Sequence, residues 1–189
     1  MADSTNKGGI TNIQVLKLLK AVDDDDIDTV KKICKFGDQN IANIGDNNTG
    51  ITALMLAAEK NRLSIIEYLI NDEIKADHSI VDIEGKTALM YASRVGCNEA
   101  VSLLLDYGAD VIWKDHNGKD ALHHALQSFC TDVHGSVVSL LLSYGGNPES
   151  VDNFGKVALI EACRDCSEHE NAALVLVAHS LDLNIISQV

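Results

Sequence analysis

Apolar positions recur along this 189-residue chain with a helical rather than a strand period. The first run, NIQVLKLLKAV over residues 12–22, predicts a helix that turns Ile13, Leu16, Leu19 and Val22 to one side. The next, IDTVKKICKF over residues 27–36, predicts its partner, stopped at Gly37. A larger unit then returns four times. Its first half reads NNTGITALMLAA from Asn47, DIEGKTALMYAS from Asp82, DHNGKDALHHAL from Asp115 and DNFGKVALIEAC from Asp152. Its second half is an apolar stretch: IIEYLI, AVSLLLDYGAD, VVSLLLSYGGN and AALVLVAHSLD. The shared glycines, Gly50, Gly85, Gly118 and Gly155, fall 35, 33 and 37 residues apart. Such a period predicts helix pairs that stack, since no single pair buries its own apolar face.

Local chemistry agrees. Thr52, Thr87 and Asp120 stand where a side-chain oxygen caps the first helix of a unit. Leu54, Leu89, Leu122 and Leu159 lie three residues before Ala57, Ala92, Ala125 and Ala162, which is one helical face. The small alanines let two helices approach, and the larger residues of the second helix fill the space between units. Two second helices end in Tyr-Gly, at Gly108 and Gly145, where the backbone can turn left-handed.

These residues resemble the ankyrin repeat, whose pattern is Asp-x-x-Gly, Thr-Pro-Leu-His-x-Ala-Ala, a glycine turn, Val-x-x-Leu-Leu and Gly-Ala-Asp. The unit from Asp82 follows it in Gly85, Thr87, Leu89, Ala92, Gly96, Val101, Leu104, Leu105, Gly108, Ala109 and Asp110. The proline has become Ala53, Ala88, Ala121 and Ala158, and the histidine survives only as His123. Val157 cannot cap its helix. The resemblance implies an all-α solenoid. Residues 1–10 are expected as a flexible leader and 11–44 as a degenerate capping repeat. Repeats follow at 45–81, 82–114, 115–151 and 152–184, the last two with inter-helix insertions, and 185–189 begins a truncated sixth. The fourth and fifth repeats are expected to be the least stable. With no polar helix closing the stack, the expectation is a fragment of a longer protein. It would be a monomer whose uncapped end, residues 171–189, is open to end-to-end dimerisation.

A closer resemblance is to the N-terminal array of the ankyrin-repeat-and-EF-hand domain proteins. It rests on NIQVLKLLKAV with KFGDQNIAN, on ADHSIVDIEGKTALMYA and on ALIEACRDCSEHENAALV. That resemblance implies a place in a motile cilium or flagellum.

Composition narrows the function. With 28 acidic against 15 basic side chains the net charge is −13, which works against nucleic acid. No apolar run is long enough to cross a membrane. The N-terminal MADSTNKGG lacks the apolar centre of a secretory signal. Five cysteines without a framework spacing point to free thiols in a cytoplasmic protein.

The resemblance implies partner contacts at the turn tips and along the exposed side of each first helix. The candidates are Ile83 and Glu84, His116 and Asn117, Asn153 and Phe154 at the tips, with Arg94 on a helix. Ile83 and Phe154 are apolar where solvent is expected, which makes them anchors. Trp113 either joins them or packs beneath its own hairpin. The run from Asp23 to Asp28 fails as an EF-hand loop, because Thr29 replaces the glycine and Lys35 the last ligand. It reads as a solvated turn. Cys130 and His134 in one insertion and Cys166 and His169 in the next offer a Cys₂His₂ zinc set, although their spacing matches no standard finger. Cys163 reads as a core residue and Cys34 and Cys97 as core and turn. Of His123 and His124, one is expected to be structural and its neighbour solvent-facing. No catalytic arrangement emerges, and no cofactor is expected. The reading is a non-catalytic scaffold for a protein partner with a basic or mixed-charge segment. The alternative is a metal-binding or thiol-sensing module.

Overall fold

The computed structural model describes residues 12–38, 40–127 and 134–158. Within them, helices α1 (Asn12–Asp23), α2 (Ile27–Phe36), α3 (Ala53–Glu59), α4 (Leu63–Ile70), α5 (Ala88–Val95), α6 (Asn98–Asp106), α7 (Ala121–Leu126) and α8 (His134–Ser143) follow in order. They pack as antiparallel pairs, α1 with α2, α3 with α4, α5 with α6 and α7 with α8. Like helices also stack on like, α1–α3–α5–α7 in one row and α2–α4–α6–α8 in the other. This is the two-row solenoid that the repeat predicts.

Burial follows the small-large logic of the sequence. Leu54, Leu89 and Leu122 are sealed together with Ala57, Ala92 and Ala125. Ile65, Ile66, Leu69, Val101, Leu104, Leu105, Val137, Val138 and Leu141 come in from the second row. Leu159, Ala162 and everything C-terminal to them lie outside the described residues.

Two of the three expected caps form. The Thr52 hydroxyl accepts from the Met55 N–H at 3.3 Å, and the Asp120 carboxylate accepts from the His123 N–H at 3.1 Å. Thr87 holds the cap position with extended backbone, but its hydroxyl makes no capping bond. Asp26, within the acidic run, caps α2 by accepting from the Thr29 N–H at 3.0 Å. Its neighbours Asp23 and Asp25 pair with Lys60 and Arg62 of the adjoining repeat. The run is therefore a structural turn.

The orientation of α1 differs from the expectation. Val15, Leu18, Ala21 and Val22 face the core, whereas Ile13 and Leu16 are 64% and 49% exposed. This helix carries two overlapping apolar stripes, and packing against α2 and α3 selects the one that periodicity alone did not.

Candidate protein-interaction surface

A tight turn precedes each of α3, α5 and α7, and a fourth follows α8 at Asp152. In the three turns from Asp82, Asp115 and Asp152, the aspartate Oδ1 accepts from two backbone N–H groups of its own turn. The first turn is built the same way around Asp46, not Asn47, with Oδ1 accepting from the Asn48 and Thr49 N–H groups. The tips then bond to one another. Ile83 N–H donates to the Thr49 carbonyl at 3.0 Å, His116 N–H to Glu84 at 2.9 Å and Asn153 N–H to Asn117 at 2.9 Å. Asn153 Nδ2 adds a bond to the His116 carbonyl at 3.0 Å. Four tips thus form one continuous ladder.

Side chains from the helices brace the ladder from below. Tyr91 on α5 donates its hydroxyl to Asp82 Oδ2 at 2.7 Å. At the equivalent place on α7, His124 Nε2 meets Asp115 Oδ2 at 3.0 Å. Both aspartates are buried, and so is His124, which corrects the expectation that it faces solvent. Burial pushes the Tyr91 phenol up and, outweighing the nearby Asp115 carboxylate, holds His124 below its ordinary 6.5. His123 is the structural histidine expected. Its Nδ1 lies 2.8 Å from Asp120 Oδ1 and its Nε2 3.3 Å from the carbonyl of Lys156 in the next turn.

The candidate contact residues divide by what their groups already do. Glu84, His116, Asn117 and Asn153 give backbone groups to the ladder, and Glu84 also pairs with Lys86. Ile83 and Phe154 keep their side chains outward, 63% and 73% exposed. Trp113 is half exposed and tied down, its indole N–H donating to the Gly85 carbonyl at 3.1 Å. It braces the preceding tip rather than sitting beneath its own hairpin. Arg94 pairs with Glu59 on the neighbouring helix and lies 5.3 Å from the Tyr91 ring centre. Ile112 and Val151, in the hairpin arms, are further exposed apolar residues that the motif alignment passed over. Their signal is an apolar side chain in the arm leading to a tip aspartate, three residues before Asp115 for Ile112 and directly before Asp152 for Val151.

Of the proposed zinc set, Cys130, Cys166 and His169 lie outside the described residues, and for His134 only the backbone at the start of α8 is described. Among the described residues no three His, Cys, Asp or Glu side chains converge as metal ligands. Cys34 and Cys97 are free thiols, and burial pushes Cys34 up to about 11, which keeps it protonated. No described helix is long and apolar enough to cross a membrane.

Residues 18–115, just over half the chain, match the family of ankyrin repeats in three copies. The chain belongs to the ankyrin-repeat family. It is 31% identical over 103 residues to the palmitoyltransferase AKR1 of Lachancea kluyveri, covering 54% of this chain and 14% of that protein. It is 38% identical over 82 residues to the mouse B-cell lymphoma 3 protein homolog, covering 42% of this chain and 18% of that protein. Over 76 residues it is 42% identical to the rat ankyrin repeat and SAM domain-containing protein 6, covering 40% of this chain and 8% of that protein. This ankyrin array therefore spans less than a fifth of each of these relatives.

Proposed function

We propose that this ankyrin array is a non-catalytic protein-binding module that receives a partner across its tips and first-row helices. Ankyrin repeats suggest a protein-interaction role. The observation that carries the reading here is the bonded row of tips with Ile83 held outward on its second tip and Phe154 on its last. A row already fixed by its own backbone loses little freedom on binding, so apolar anchors on it convert burial into affinity efficiently. The net charge of −13 favours a basic or mixed-charge partner segment and speeds its arrival at low salt. The likeness of NIQVLKLLKAV and the stretches noted with it to the EF-hand-linked arrays supports a motile cilium or flagellum as the setting.

The test is affinity capture from ciliated-cell lysate with the wild-type chain and an Ile83→Asp, Phe154→Asp variant of unchanged helicity. A partner retained by the first should bind the second at least tenfold more weakly, about 1.4 kcal/mol. Equal affinity would remove the tips from the reading.

A further inference from the structure

The first helix pair carries a groove that the tip surface does not involve. Because α1 and α2 run antiparallel, the start of α1 lies beside the end of α2. Between them opens a largely apolar cavity of about 430 Å³, lined by Gln14, Lys17, Lys32, Ile33, Phe36 and Ile41. Phe36 stands at this cavity 87% exposed, the most exposed large apolar side chain among the described residues. Nothing in α3 or α4 lines the space.

Its charge is opposite to that of the chain. Lys17 and Lys20 on α1 and Lys32 and Lys35 on α2 form no ion pair among the described residues. Elsewhere Lys60, Arg62, Lys86 and Arg94 are each matched to a carboxylate, while Lys31 lies over the Tyr68 ring and Lys114 donates to the Val151 carbonyl. Of the acids of the first pair, Asp23 to Asp26 and Asp28 sit toward the far end, where Asp23 and Asp25 are already engaged by Lys60 and Arg62, while Asp38, which follows the lining residue Gly37, accepts from the Asn40 N–H. Lys32 acts on Asp26 only at a distance. A molecule with 28 acids and 15 bases therefore leaves two unmatched cations, Lys17 and Lys32, in the lining of one apolar groove.

We propose that this groove is a second docking site, taking an acidic amphipathic protein segment that inserts an apolar side chain beside Phe36 and sets its carboxylates against the lysines. The groove supplies a pocket for an anchor, which flat apolar surface does not. The cation rim supplies steering and orientation. A concave site on a chain of net charge −13 suits a side chain better than an anionic bilayer, which the whole molecule repels.

The experiment is selection of a random 16-residue peptide display library on the full chain, followed by fluorescence anisotropy of the enriched peptides. Three variants are compared, Phe36→Asp, Lys17→Glu with Lys32→Glu, and Ile83→Asp with Phe154→Asp, each checked for an unchanged melting temperature. The expected peptides are rich in Asp and Glu, contain at least one large apolar residue and weaken with salt. They should lose tenfold or more in affinity to the first two variants and nothing to the third. Failure to enrich any Phe36-dependent peptide, or enrichment of basic ones, would overturn the proposal. So would Phe36-dependent binding to phosphatidylserine vesicles in place of peptide. Self-association of the wild-type chain that disappears in Phe36→Asp would assign the groove to a second copy instead.

Discussion

Gly118→Ala is expected to destabilise the chain by about 3 kcal/mol, far more than an exposed turn residue normally carries. Two costs add. Gly118 has φ +76, a left-handed conformation in which a Cβ costs roughly 1–2 kcal/mol. That Cβ would also meet the Asn153 side-chain oxygen at 2.4 Å and the Asn153 backbone nitrogen at 2.8 Å. The side chain can swing away. The backbone nitrogen cannot, because it is bonded to the Asn117 carbonyl, and such overpacking costs roughly another 1–3 kcal/mol. Gly108→Ala is the control. With φ +89 and nothing within 4 Å of the added carbon, it should lose only the conformational part. Urea denaturation of both variants reads the difference, and equal losses would mean that the tips are not in contact.

Asp115→Ala should cost about as much, near 3 kcal/mol, because it strands three donors at once. The Asn117 and Lys119 N–H groups lose Oδ1, and the buried His124 loses Oδ2. His124→Tyr, by contrast, should cost less than about 1.5 kcal/mol, since the preceding repeat already uses Tyr91 against Asp82 in the same arrangement. The pair also predicts a pH effect. The folded His124 resists protonation, whereas the unfolded one takes a proton as pH falls through 6.5. Its contribution is thus fully present above about 6.5 and is lost as pH falls from there to the lower folded value. Urea midpoints at pH 7.5 and 5.5 should show a larger acid loss in the wild type than in His124→Tyr. Identical losses would remove His124 from the effect.

Much of this architecture is legible in the chain because repetition averages out local ambiguity. The Leu-x-x-Ala face recurs at Leu54, Leu89 and Leu122, and each copy supports the others. The first repeat has no such block, and there the reading held only in part: Val22 is buried and Leu19 half-buried against the core, but Ile13 and Leu16 face outward. Val15, Leu18 and Ala21 run beside Ile13, Leu16 and Leu19 at the same spacing, with Val22 able to close either stripe, so only tertiary packing chooses between them. His124 was misplaced for a related reason. Its fate is set by Asp115, nine residues earlier across a hairpin, and helical periodicity carries no information at that distance. The same nine-residue spacing from Asp82 to Tyr91 was the available signal. Ile83 and Phe154 were legible as outward apolar side chains because an apolar residue in a polar tip breaks its own local pattern. The bond from Trp113 to the Gly85 carbonyl joins two repeats through an exposed side chain, for which no motif position exists.

On the proposed reading, the bonded row of tips, with the first-row helices beneath it, receives the protein partner. Hydrogen–deuterium exchange of the full chain, free and saturated with the captured partner, tests it most directly. New protection is expected at residues 83–84, 116–117 and 153–154 and along α5 and α7, with α4, α6 and α8 unchanged. Protection confined to the second-row helices would contradict it.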